Sequence, residues 1–304
     1  MEKYHILFNP LSCSGKGKEV AMGAESLILD GEVCYHDLTK IEDKKAFLYS
    51  LPEEDNVVLA GGDGTVSKLI NAISGMELER DIYYYAAGTG NDFLKDIGVE
   101  KGKCLVRVNE YIQDLPVVEV KGKKYKILNN VGFGIDGYAT EEGDRQRASG
   151  KNKINYTLIA IKGLLFGYKR VNATVTIDGV TRNYKNVWLA PTMNGRYIGG
   201  GMMACPGQDR LNPEKTVSLM VMFCRSKLKA LCVFPSIFSG KHVRRTEMVE
   251  QYKGYEVEVT FDKPTALQID GETISGVESY RVWATPEYRR ASIEELEKME
   301  TVER

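Results

Sequence analysis

A glycine-rich turn after a short apolar stretch offers the clearest chemistry in this sequence. Val57 to Ala60 are apolar, and Gly61 to Val66 read Gly-Gly-Asp-Gly-Thr-Val. Glycines let backbone amides approach phosphate oxygens, and a helix predicted from Thr65 adds the positive end of its dipole. Asp63 supplies a carboxylate that can meet a Mg²⁺ ion bridging those phosphates. The turn therefore predicts a phosphate site beside a metal ion.

Two other loops repeat this combination of a strand, small residues and polar side chains. Ala87 to Phe93 follow an apolar stretch and contain two glycines, Thr89 and Asp92. The first loop, Asn9 to Gly17, also follows an apolar stretch, although Asn-Pro and Ser-Gly pairs are common in any turn. Since ligands of open α/β sheets bind at the carboxyl ends of the strands, we expect the three loops to face one cleft.

The sequence pattern changes near residue 116. Before this point, short apolar strands alternate with helical stretches, which predicts an open and largely parallel α/β sheet. From Val117 the pattern is that of period-two strands, and glycine-containing turns at Lys121-Gly122 and Asp178-Gly179 predict hairpins. The second half is therefore expected to be mainly β.

Length and patterning together divide the chain into three predicted units. A chain of 304 residues favours two domains over one. We expect an α/β nucleotide-binding domain at 1–116 and a β-rich lipid or acceptor domain at 117–285, with helical insertions near Asn155 to Phe166 and Leu228 to Phe238. Residues 286–304 predict a capped acidic helix that packs back on the first domain.

Composition excludes several classes of protein. The 41 basic and 42 acidic residues give a formal charge of −1, so no overall field recruits nucleic acid. The six cysteines form no C-x-x-C pair, which argues against zinc knuckles and a disulfide framework. The sequence has neither a signal peptide nor an apolar run of the roughly 18 residues that span a bilayer, so we expect a cytoplasmic protein.

The ordered motifs resemble the diacylglycerol kinase catalytic domain family, especially its soluble bacterial members. The resemblance runs nearly from end to end. The family implies a three-layer open α/β domain of the NAD kinase and diacylglycerol kinase type, a β-sandwich-like domain after it, and an active site in the cleft between them. The motifs that carry the resemblance are Asn9-Pro10 with Gly15, Gly61-Gly62-Asp63-Gly64-Thr65, Gly88-Thr89-Gly90-Asn91-Asp92-Phe93, Asn130-Val131-Gly132-Phe133-Gly134-Ile135-Asp136 and Asp270-Gly271-Glu272.

The resemblance also implies ATP and Mg²⁺ as cofactors and a role for each matching residue. Asp63, Asp92 and Asp136 would organise Mg²⁺ and its waters, and Glu272 would be the general base that takes the proton of a lipid hydroxyl. The residues that would hold the nucleotide are Asn9, Pro10, Gly15, Thr39, Gly61, Gly62, Asp63, Gly64, Thr65, Val66, Ser67, Thr89, Gly90 and Asn91.

A second, structural Mg²⁺ site of the soluble bacterial members is only partly matched here. Asp209 is present, and the backbone carbonyl of Leu211 would be a further ligand. Arg210, however, stands where glycine is usual, and Asn212 lies near a commonly acidic position. We therefore expect this site to be weak or absent, with Arg210 supplying the positive charge instead.

Other interpretations of the motifs stay open on the residues alone. Asp-Gly-Glu also occurs at Asp30 to Glu32, so Glu272 is equally a plain turn carboxylate. Gly132 to Gly137 fits the dinucleotide pattern G-x-G-x-x-G, but it lies in the β-rich half, and the acidic run after it makes a poor apolar crossover helix. The alternatives to a lipid kinase are an NAD kinase-like enzyme with a soluble acceptor and a nucleotide-regulated binding protein without turnover.

Two segments predict how such an enzyme meets a lipid. Arg145 to Arg170 contain seven Lys and Arg and no acidic residue, and Arg225 to Arg245 contain six and again none. Basic flanks around apolar centres predict reversible docking on the anionic inner face of the membrane. The alternative is two ordinary helical segments packed on the β-rich domain. The apolar residues between the charges are Ile154, Leu158, Ile161, Leu165 and the run Val233 to Phe238.

The sequence defines neither the lipid acceptor nor the oligomeric state of the protein. Diacylglycerol, converted to phosphatidic acid, is the default acceptor by resemblance, and the sequence does not name the lipid. The three histidines, at 5, 36 and 242, predict no catalytic group, and a homodimer is left open.

Overall fold

The N-terminal half of the chain is built on an open sheet. The computed structural model describes residues 2–77, 80–86, 91–151 and 154–285. Its first strands are β1 Lys3–Phe8, β2 Glu32–Asp37, β3 Asn56–Gly61, β4 Ile82–Ala86 and β5 Val106–Arg107. Their order is β2-β1-β3-β4-β5, with β1 to β4 parallel and β5 antiparallel to β4. The predicted α/β sheet is confirmed.

Helices cover both faces of this sheet. On one face, Val20 and Ala24 pack in the same cluster as Ile6 of β1. On the other face, Leu69 packs in the same cluster as Leu59 of β3. The sheet is therefore buried on both sides, as parallel sheets require. The helices are α1 Ser12–Gly15, α2 Gly17–Glu25, α3 Lys44–Ser50, α4 Asp63–Ala72, α5 Asp92–Asp96 and α6 Asn109–Ile112.

The helix predicted from Thr65 begins two residues earlier than expected. Gly62 is its N-cap residue, with an extended φ of −105° and ψ of 177°, and α4 starts at Asp63. A glycine can take this position without a side chain that interferes with the first turn. Asp63 therefore lies in the first helical turn, where the helix dipole favours a carboxylate.

The second half is a large, mainly antiparallel sheet. Within the described residues its order is β14-β13-β10-β8-β15-β16-β6-β7, and β9 pairs with both β10 and β15. The register of β10 and β15 shifts along their length, so the sheet folds over an apolar core that includes Val175, Phe133 and Val259. The strands are β6 Val117–Val120, β7 Lys123–Lys126, β8 Asn130–Gly134, β9 Val171–Ile177, β10 Val180–Met193, β11 Tyr197–Ile198, β12 Met202–Met203, β13 Val217–Phe223, β14 Val249–Gly254, β15 Glu256–Ile269 and β16 Glu272–Trp283.

The predicted hairpin turns are confirmed, and a third turn has the same form. Lys121 and Gly122 connect β6 to β7 with φ of 50° and 72°, and Asp178 and Gly179 connect β9 to β10 with φ of 46° and 79°. Asp270-Gly271 joins β15 to β16 with φ of 48° and 87°. Two positive φ angles are the conformation that fits the twist of a two-residue hairpin.

Helical segments pack on the outside of this sheet. Their bounds are α7 Ile135–Ala148, α8 Tyr156–Lys162, a π-helix at Gly163–Gly167, α9 Lys227–Val233, and 3₁₀ turns at Phe234–Ser239 and Lys241–Arg244. The two predicted insertions are thus helical, although each changes helix type part-way.

Helix α7 was not predicted, because its sequence is rich in acidic residues rather than apolar ones. Glycines explain how it packs. A Cβ on Gly137 would lie 2.1 Å from the carbonyl oxygen of Ala266, and one on Gly143 would lie 2.5 Å from the ring of Tyr156. Small residues therefore let α7 lie directly on β15 and α8. Because β8 pairs antiparallel with β10 and β15, this helix is not a dinucleotide-binding crossover.

Some predictions fall beyond the described residues. The C-terminal helix at 286–304 lies outside them, and the limits of the predicted domains stay predictions. Among the described residues, no helix is both long and apolar enough to cross a bilayer.

Candidate active site

The loops predicted to hold a nucleotide lie along one edge of the parallel sheet. Asn9 follows β1, Thr39 follows β2, and Gly62 follows β3. Asp92 comes soon after β4, whereas Gly88, Thr89 and Gly90 lie outside the described residues. Parallel strands bring all their carboxyl ends to the same edge, which is where open α/β sheets bind ligands.

The glycine-rich turn is shaped by close packing and not by unusual backbone angles. Gly61, Gly62 and Gly64 are all described, and none of the three has a positive φ. A Cβ on Gly61 would lie 2.6 Å from the hydroxyl of Thr65, so only glycine lets α4 begin so near the end of β3. The side chain of Val66 is fully buried in the core, which leaves only its backbone to face a ligand.

The first and second loops are held by their own hydrogen bonds. The side-chain oxygen of Asn9 accepts a bond from the Leu11 amide at 2.9 Å. The backbone after Pro10 then turns through α1, and Gly15 has a φ of 83°. In the second loop, both the amide and the hydroxyl of Thr39 donate to Asp37 Oδ1, at 2.9 and 2.6 Å. These hydrogen bonds define the shape of the two loops.

Asp63 sits at the junction between the two halves of the protein. Its Oδ2 accepts hydrogen bonds from the Phe93 amide at 3.0 Å and from Asn129 Nδ2 at 2.9 Å. Its Oδ1 lies 3.4 Å from the hydroxyl of Tyr84. Burial raises the pKa of Asp63 to about 7, the Phe93 bond opposes that rise, and the charge of Asp92 adds to it.

Asp92 lies beside Asp63 and offers a free oxygen. Its Oδ2 accepts a bond from the Gly200 amide at 2.9 Å, while Oδ1 is buried without a hydrogen-bond partner among the described residues. Burial raises the pKa of this carboxyl group as well. A pair of carboxylates, one of which has a buried oxygen without a hydrogen-bond partner among the described residues, suits a hard divalent cation.

The donor set fits Mg²⁺ better than a metal that needs an all-protein cage. In the described part of the chain, no cluster of three or more His, Cys, Asp or Glu side chains could enclose a metal ion. Mg²⁺ keeps several waters and is bound by one or two carboxylates plus substrate phosphates. Asp63 and Asp92 therefore match the requirements of Mg²⁺ beside a nucleotide.

A cavity of about 510 Å³ opens next to these carboxylates. Its acidic lining residues are Asp63, Asp92, Asp136 and Asp270. Its apolar lining residues are Ile135, Ala139, Ile154, Ala160, Ile198, Met202 and Phe234. A cavity of this size that combines apolar and polar side chains is typical of a small-molecule pocket.

Asp136 is the most isolated acid of the cavity. It is buried, its Oδ2 lies 3.2 Å from the donating Nε2 of Gln268, and its Oδ1 has no hydrogen-bond partner among the described residues. Burial raises the pKa of Asp136 to about 7. A carboxyl group with this pKa can both hold and release a proton near neutral pH.

The two acids of the turn Asp270-Gly271-Glu272 lie in different environments. The buried carboxylate of Asp270 accepts bonds from Ser67 Oγ at 2.9 Å and from the amides of Leu128, Asn129 and Asn130 at 2.8, 2.7 and 3.0 Å. The side chain of Glu272 is 57% exposed and pairs with Lys68 Nζ at 2.9 Å. Glu272 does not line the cavity that the described residues form.

A buried ion pair links the second half to the site. The guanidinium of Arg210 pairs with Asp96 at 2.6 Å and donates to the side-chain oxygen of Asn129 at 3.0 Å. Asn129 in turn donates to Asp63. Arg210 was expected to supply positive charge at the Asp209 loop, but its charge meets Asp96. Asp209 Oδ1 accepts a bond from the Leu211 amide at 3.0 Å.

Several of these contacts were not found from the sequence. Asn129 and Gln268 sit next to motif residues, and Asp270 belongs to a motif but had no role assigned. The only signal for Asp270 was its place before a glycine in a hairpin turn. The pair of Asp96 and Arg210 joins positions 114 residues apart, and no local pattern marks it.

Comparison with known proteins agrees with this architecture. The family model described as "Diacylglycerol kinase catalytic domain" matches residues 3–118. The model described as "YegS C-terminal NAD kinase beta sandwich-like domain" matches residues 129–288, which is more than half of the chain. The chain belongs to the diacylglycerol kinase catalytic domain family. The expected fold class, an α/β domain followed by a β-sandwich-like domain, is confirmed.

Individual relatives of this family carry kinase names. A protein of Mycobacterium tuberculosis strain H37Rv, named "Diacylglycerol kinase", is 27% identical over 260 residues, covering 81% of each chain. The Bacillus subtilis protein named "Putative lipid kinase YtlR" is 22% identical over 249 residues, covering 76% of this chain and 77% of its own.

A solved structure shares the fold. The crystal structure titled as a putative diacylglycerol kinase from Bacillus anthracis has a TM-score of 0.64 and 18% identity, covering 93% of this chain and 91% of its own. As a member of this family the protein is a kinase, and kinases of this family use ATP as the phosphoryl donor.

We predict that the buried pair of Arg210 and Asp96 stabilises the junction. Arg210→Ala removes the guanidinium that pairs with the buried carboxylate of Asp96. We therefore expect a loss of about 3–5 kcal/mol in the free energy of unfolding, measured with urea. Arg281→Ala is the matched control, since Arg281 pairs with Glu258 at the surface and should contribute at most about 1 kcal/mol. Equal stability of the two variants would contradict the prediction.

We also predict that Asp136 makes stability depend on pH. The pKa of Asp136 is about 7 in the folded protein and 3.8 is its ordinary value, so the folded state binds a proton that the unfolded state has lost. This contribution to stability is therefore present at low pH and is lost as the pH rises toward 7. Asp136→Asn should be more stable than the parent at pH 8, with a gain that shrinks by about 1.4 kcal/mol per pH unit below pH 7. A gain independent of pH in thermal unfolding would disprove this assignment.

Proposed function

We propose that the protein transfers the terminal phosphoryl group of ATP to the hydroxyl group of a membrane lipid. Diacylglycerol is the default acceptor, and phosphatidic acid is then the product. One observation carries the proposal: the cavity that is lined by acidic side chains suited to phosphoryl transfer is also lined by seven apolar residues, which form its apolar wall. The kinase membership of the chain supports the donor side of the reaction.

Residues at the carboxyl edge of the parallel sheet would bind the phosphoryl donor, ATP. The first turn of α4 presents the positive end of the helix to a phosphate, and the glycine-rich turn leaves room for it. Asp63 and Asp92 would hold Mg²⁺, which when bound spreads the negative charge that develops on the phosphates. Asn9 and Thr39 lie at the same edge and would position the nucleotide, whereas the hydroxyl of Ser67 donates to Asp270.

The acceptor side supports a lipid over a soluble compound. Ile154, Ala160 and Phe234 are among the apolar residues that line the cavity. Each methylene group of an acyl chain buried there contributes about 0.8 kcal/mol of binding. A polar acceptor such as a dinucleotide would leave this wall without a partner. The apolar wall therefore favours a lipid kinase over the NAD kinase-like alternative.

Two carboxylates compete for the proton of the acceptor. The family resemblance gives this role to Glu272, which pairs with Lys68 at the protein surface and would have to leave that ion pair. Asp136 lines the cavity, its Oδ1 has no hydrogen-bond partner in the described part of the chain, and its pKa is about 7. Because a general base works best with a pKa near the working pH, we assign hydroxyl binding and proton acceptance to Asp136.

Kinetics of two variants separate these assignments. We expect Asp136→Asn to lower kcat by about 10²–10⁴-fold, the usual contribution of a general base. Glu272→Gln tests the role of general base that the family resemblance gives to Glu272. We expect a smaller loss of kcat in this variant, because Glu272 is held in an ion pair with Lys68. An unchanged kcat for Asp136→Asn, with a large loss for Glu272→Gln, would overturn our assignment.

The function itself is tested with radiolabelled ATP and a panel of lipid alcohols in mixed micelles. We expect label in a lipid product, dependent on added Mg²⁺ and abolished by Asp63→Ala without unfolding of the protein. Transfer of label to NAD, or to no acceptor while ATP is still bound, would contradict a lipid kinase. Because its acceptor would be a bilayer lipid and its donor ATP, we propose that it works at the inner face of the cell membrane.

A further inference from the structure

A buried glutamine stands between two core residues near the end of β15. Leu267 and Ile269 lie in the apolar core of the second half, whereas Gln268 between them lines the cavity that contains Asp136. This alternation is the one that a β-strand imposes on successive side chains. Gln268 is only 3% exposed, so its amide group needs hydrogen-bond partners within the protein.

The orientation of the Gln268 amide group is fixed by a neighbour that can only donate. The backbone amide of Gly271, in the turn between β15 and β16, donates to Gln268 Oε1 at 2.8 Å. Since an N–H group cannot accept a hydrogen bond, rotating the amide group by half a turn would bring two donors together. The oxygen of Gln268 therefore faces Gly271, and its nitrogen faces the other way.

The amide nitrogen of Gln268 holds two side chains of the cavity. Nε2 donates to Asp136 Oδ2 at 3.2 Å and also to Asn130 Oδ1. Both acceptor residues line the cavity. A carboxamide nitrogen carries two N–H groups, so Gln268 can serve both acceptors at once. One buried side chain thus connects the turn at Gly271 with the carboxylate of Asp136.

The two oxygens of Asp136 are not equivalent. Oδ2 accepts the bond from Gln268 and lies close to β8, where a Cβ on Gly132 would be 3.0 Å from it. Gly132 is the partner of Gln268 across the sheet, and a glycine there leaves room for the carboxylate. Oδ1, in contrast, has no hydrogen-bond partner within the part of the chain that the structure describes. Oδ1 is therefore the oxygen available to a ligand.

We propose that Gln268 is a positioning residue that makes Oδ1 of Asp136 the atom that takes the proton of the acceptor hydroxyl. The inference rests on the proposed function and names the atom that acts in it. In the transfer step, the hydroxyl oxygen forms a bond to the γ-phosphorus of ATP, and the hydroxyl proton passes to Oδ1. The bond between that phosphorus and the bridging oxygen breaks, and its electron pair leaves with ADP.

Asp136 needs such a restraint because its carboxyl group can rotate. It lies in the first turn of α7, and the last torsion of an aspartate side chain has a broad energy minimum. The bond from Gln268 to Oδ2 removes much of this freedom and keeps Oδ1 in one place. A displacement of about 1 Å at a reacting group can lower a rate about a hundredfold, so this restraint is large enough to affect catalysis.

The first test is steady-state kinetics of the full chain with radiolabelled ATP and diacylglycerol in mixed micelles. Gln268→Met keeps the length of the side chain but removes its donors and its acceptor. We expect this variant to lower kcat by about tenfold to a hundredfold, with the KM for ATP within about twofold of the parent, because the nucleotide site is unchanged.

Gln208→Met is the matched control. Gln208 is also 3% exposed, and its Nε2 donates to the carbonyl oxygens of Asn194 and Thr216 at 3.2 and 3.0 Å. It lines a different pocket of the second half. We expect this variant to lose stability, as any buried glutamine does when its bonds are removed, and to keep the kcat of the parent per folded molecule.

A double variant separates positioning from support of the fold. In Asp136→Asn, the side chain that Gln268 holds is no longer a base, so adding Gln268→Met should lower kcat by less than about twofold further. If Gln268 only supports the turn at Gly271, the substitution lowers kcat by the same factor in both backgrounds. A parent-like kcat in Gln268→Met, or equal losses in the two backgrounds, would overturn the proposal.

Hydrogen exchange gives a measurement that needs no turnover. We expect the amide of Gly271 to exchange faster in Gln268→Met than in the parent, and at the rate of the parent in Gln208→Met. Unchanged exchange of this amide in Gln268→Met would contradict the arrangement itself. Failure of the proposed function is seen in the parent, as the absence of a labelled lipid, whereas failure of the role of Gln268 is seen only in the variants of an active kinase.

Discussion

The buried carboxylate of Asp270 is the interaction on which the arrangement of the site depends. It accepts one bond from Ser67 on α4 and three from the backbone amides that lead into β8, so it holds the parallel sheet and the β-rich half together. Burial raises its pKa, and the four donors oppose that rise by stabilising the ionised form. An acid left unpartnered at this depth would be strongly unfavourable, so the four donors must stay in place together.

The same junction places the acidic side chains and the apolar lining in one cavity. Asn129, whose amide is bound by Asp270, uses its side chain to hold Asp63 and is itself held by Arg210. Burial raises the pKa values of two acids of this cavity, Asp63 and Asp136, to about 7. Stability is given up there for function, as is common at active sites. The apolar lining of the cavity comes from the second half of the chain, whereas Asp63 and Asp92 come from the first half, so neither half forms the site alone.

Local features of the structure could be predicted from the sequence, whereas contacts between distant parts of the chain could not. The turn at Gly61 to Val66 was readable because its glycines and its strand are adjacent in the chain, and only the start of α4 was displaced. Helix α7 escaped prediction because its packing depends on Gly137 and Gly143, which carry no apolar signal. The Asp96 and Arg210 pair depends on how the halves meet. The segregation of charge in the segments 145–170 and 225–245 was visible, whereas the exposure of Phe166 depends on a π-helix that periodicity does not reveal.

The role of Asp270 is tested most directly by amide hydrogen exchange in the Asp270→Asn variant, followed by NMR at Leu128, Asn129 and Asn130. Asparagine keeps the size of the side chain but loses its charge and presents donors where acceptors are needed. We predict that these three amides exchange much faster than in the parent, that α4 near Ser67 also loses protection, and that phosphoryl transfer falls in parallel. Unchanged protection of the three amides, with full activity, would contradict the central role given to Asp270.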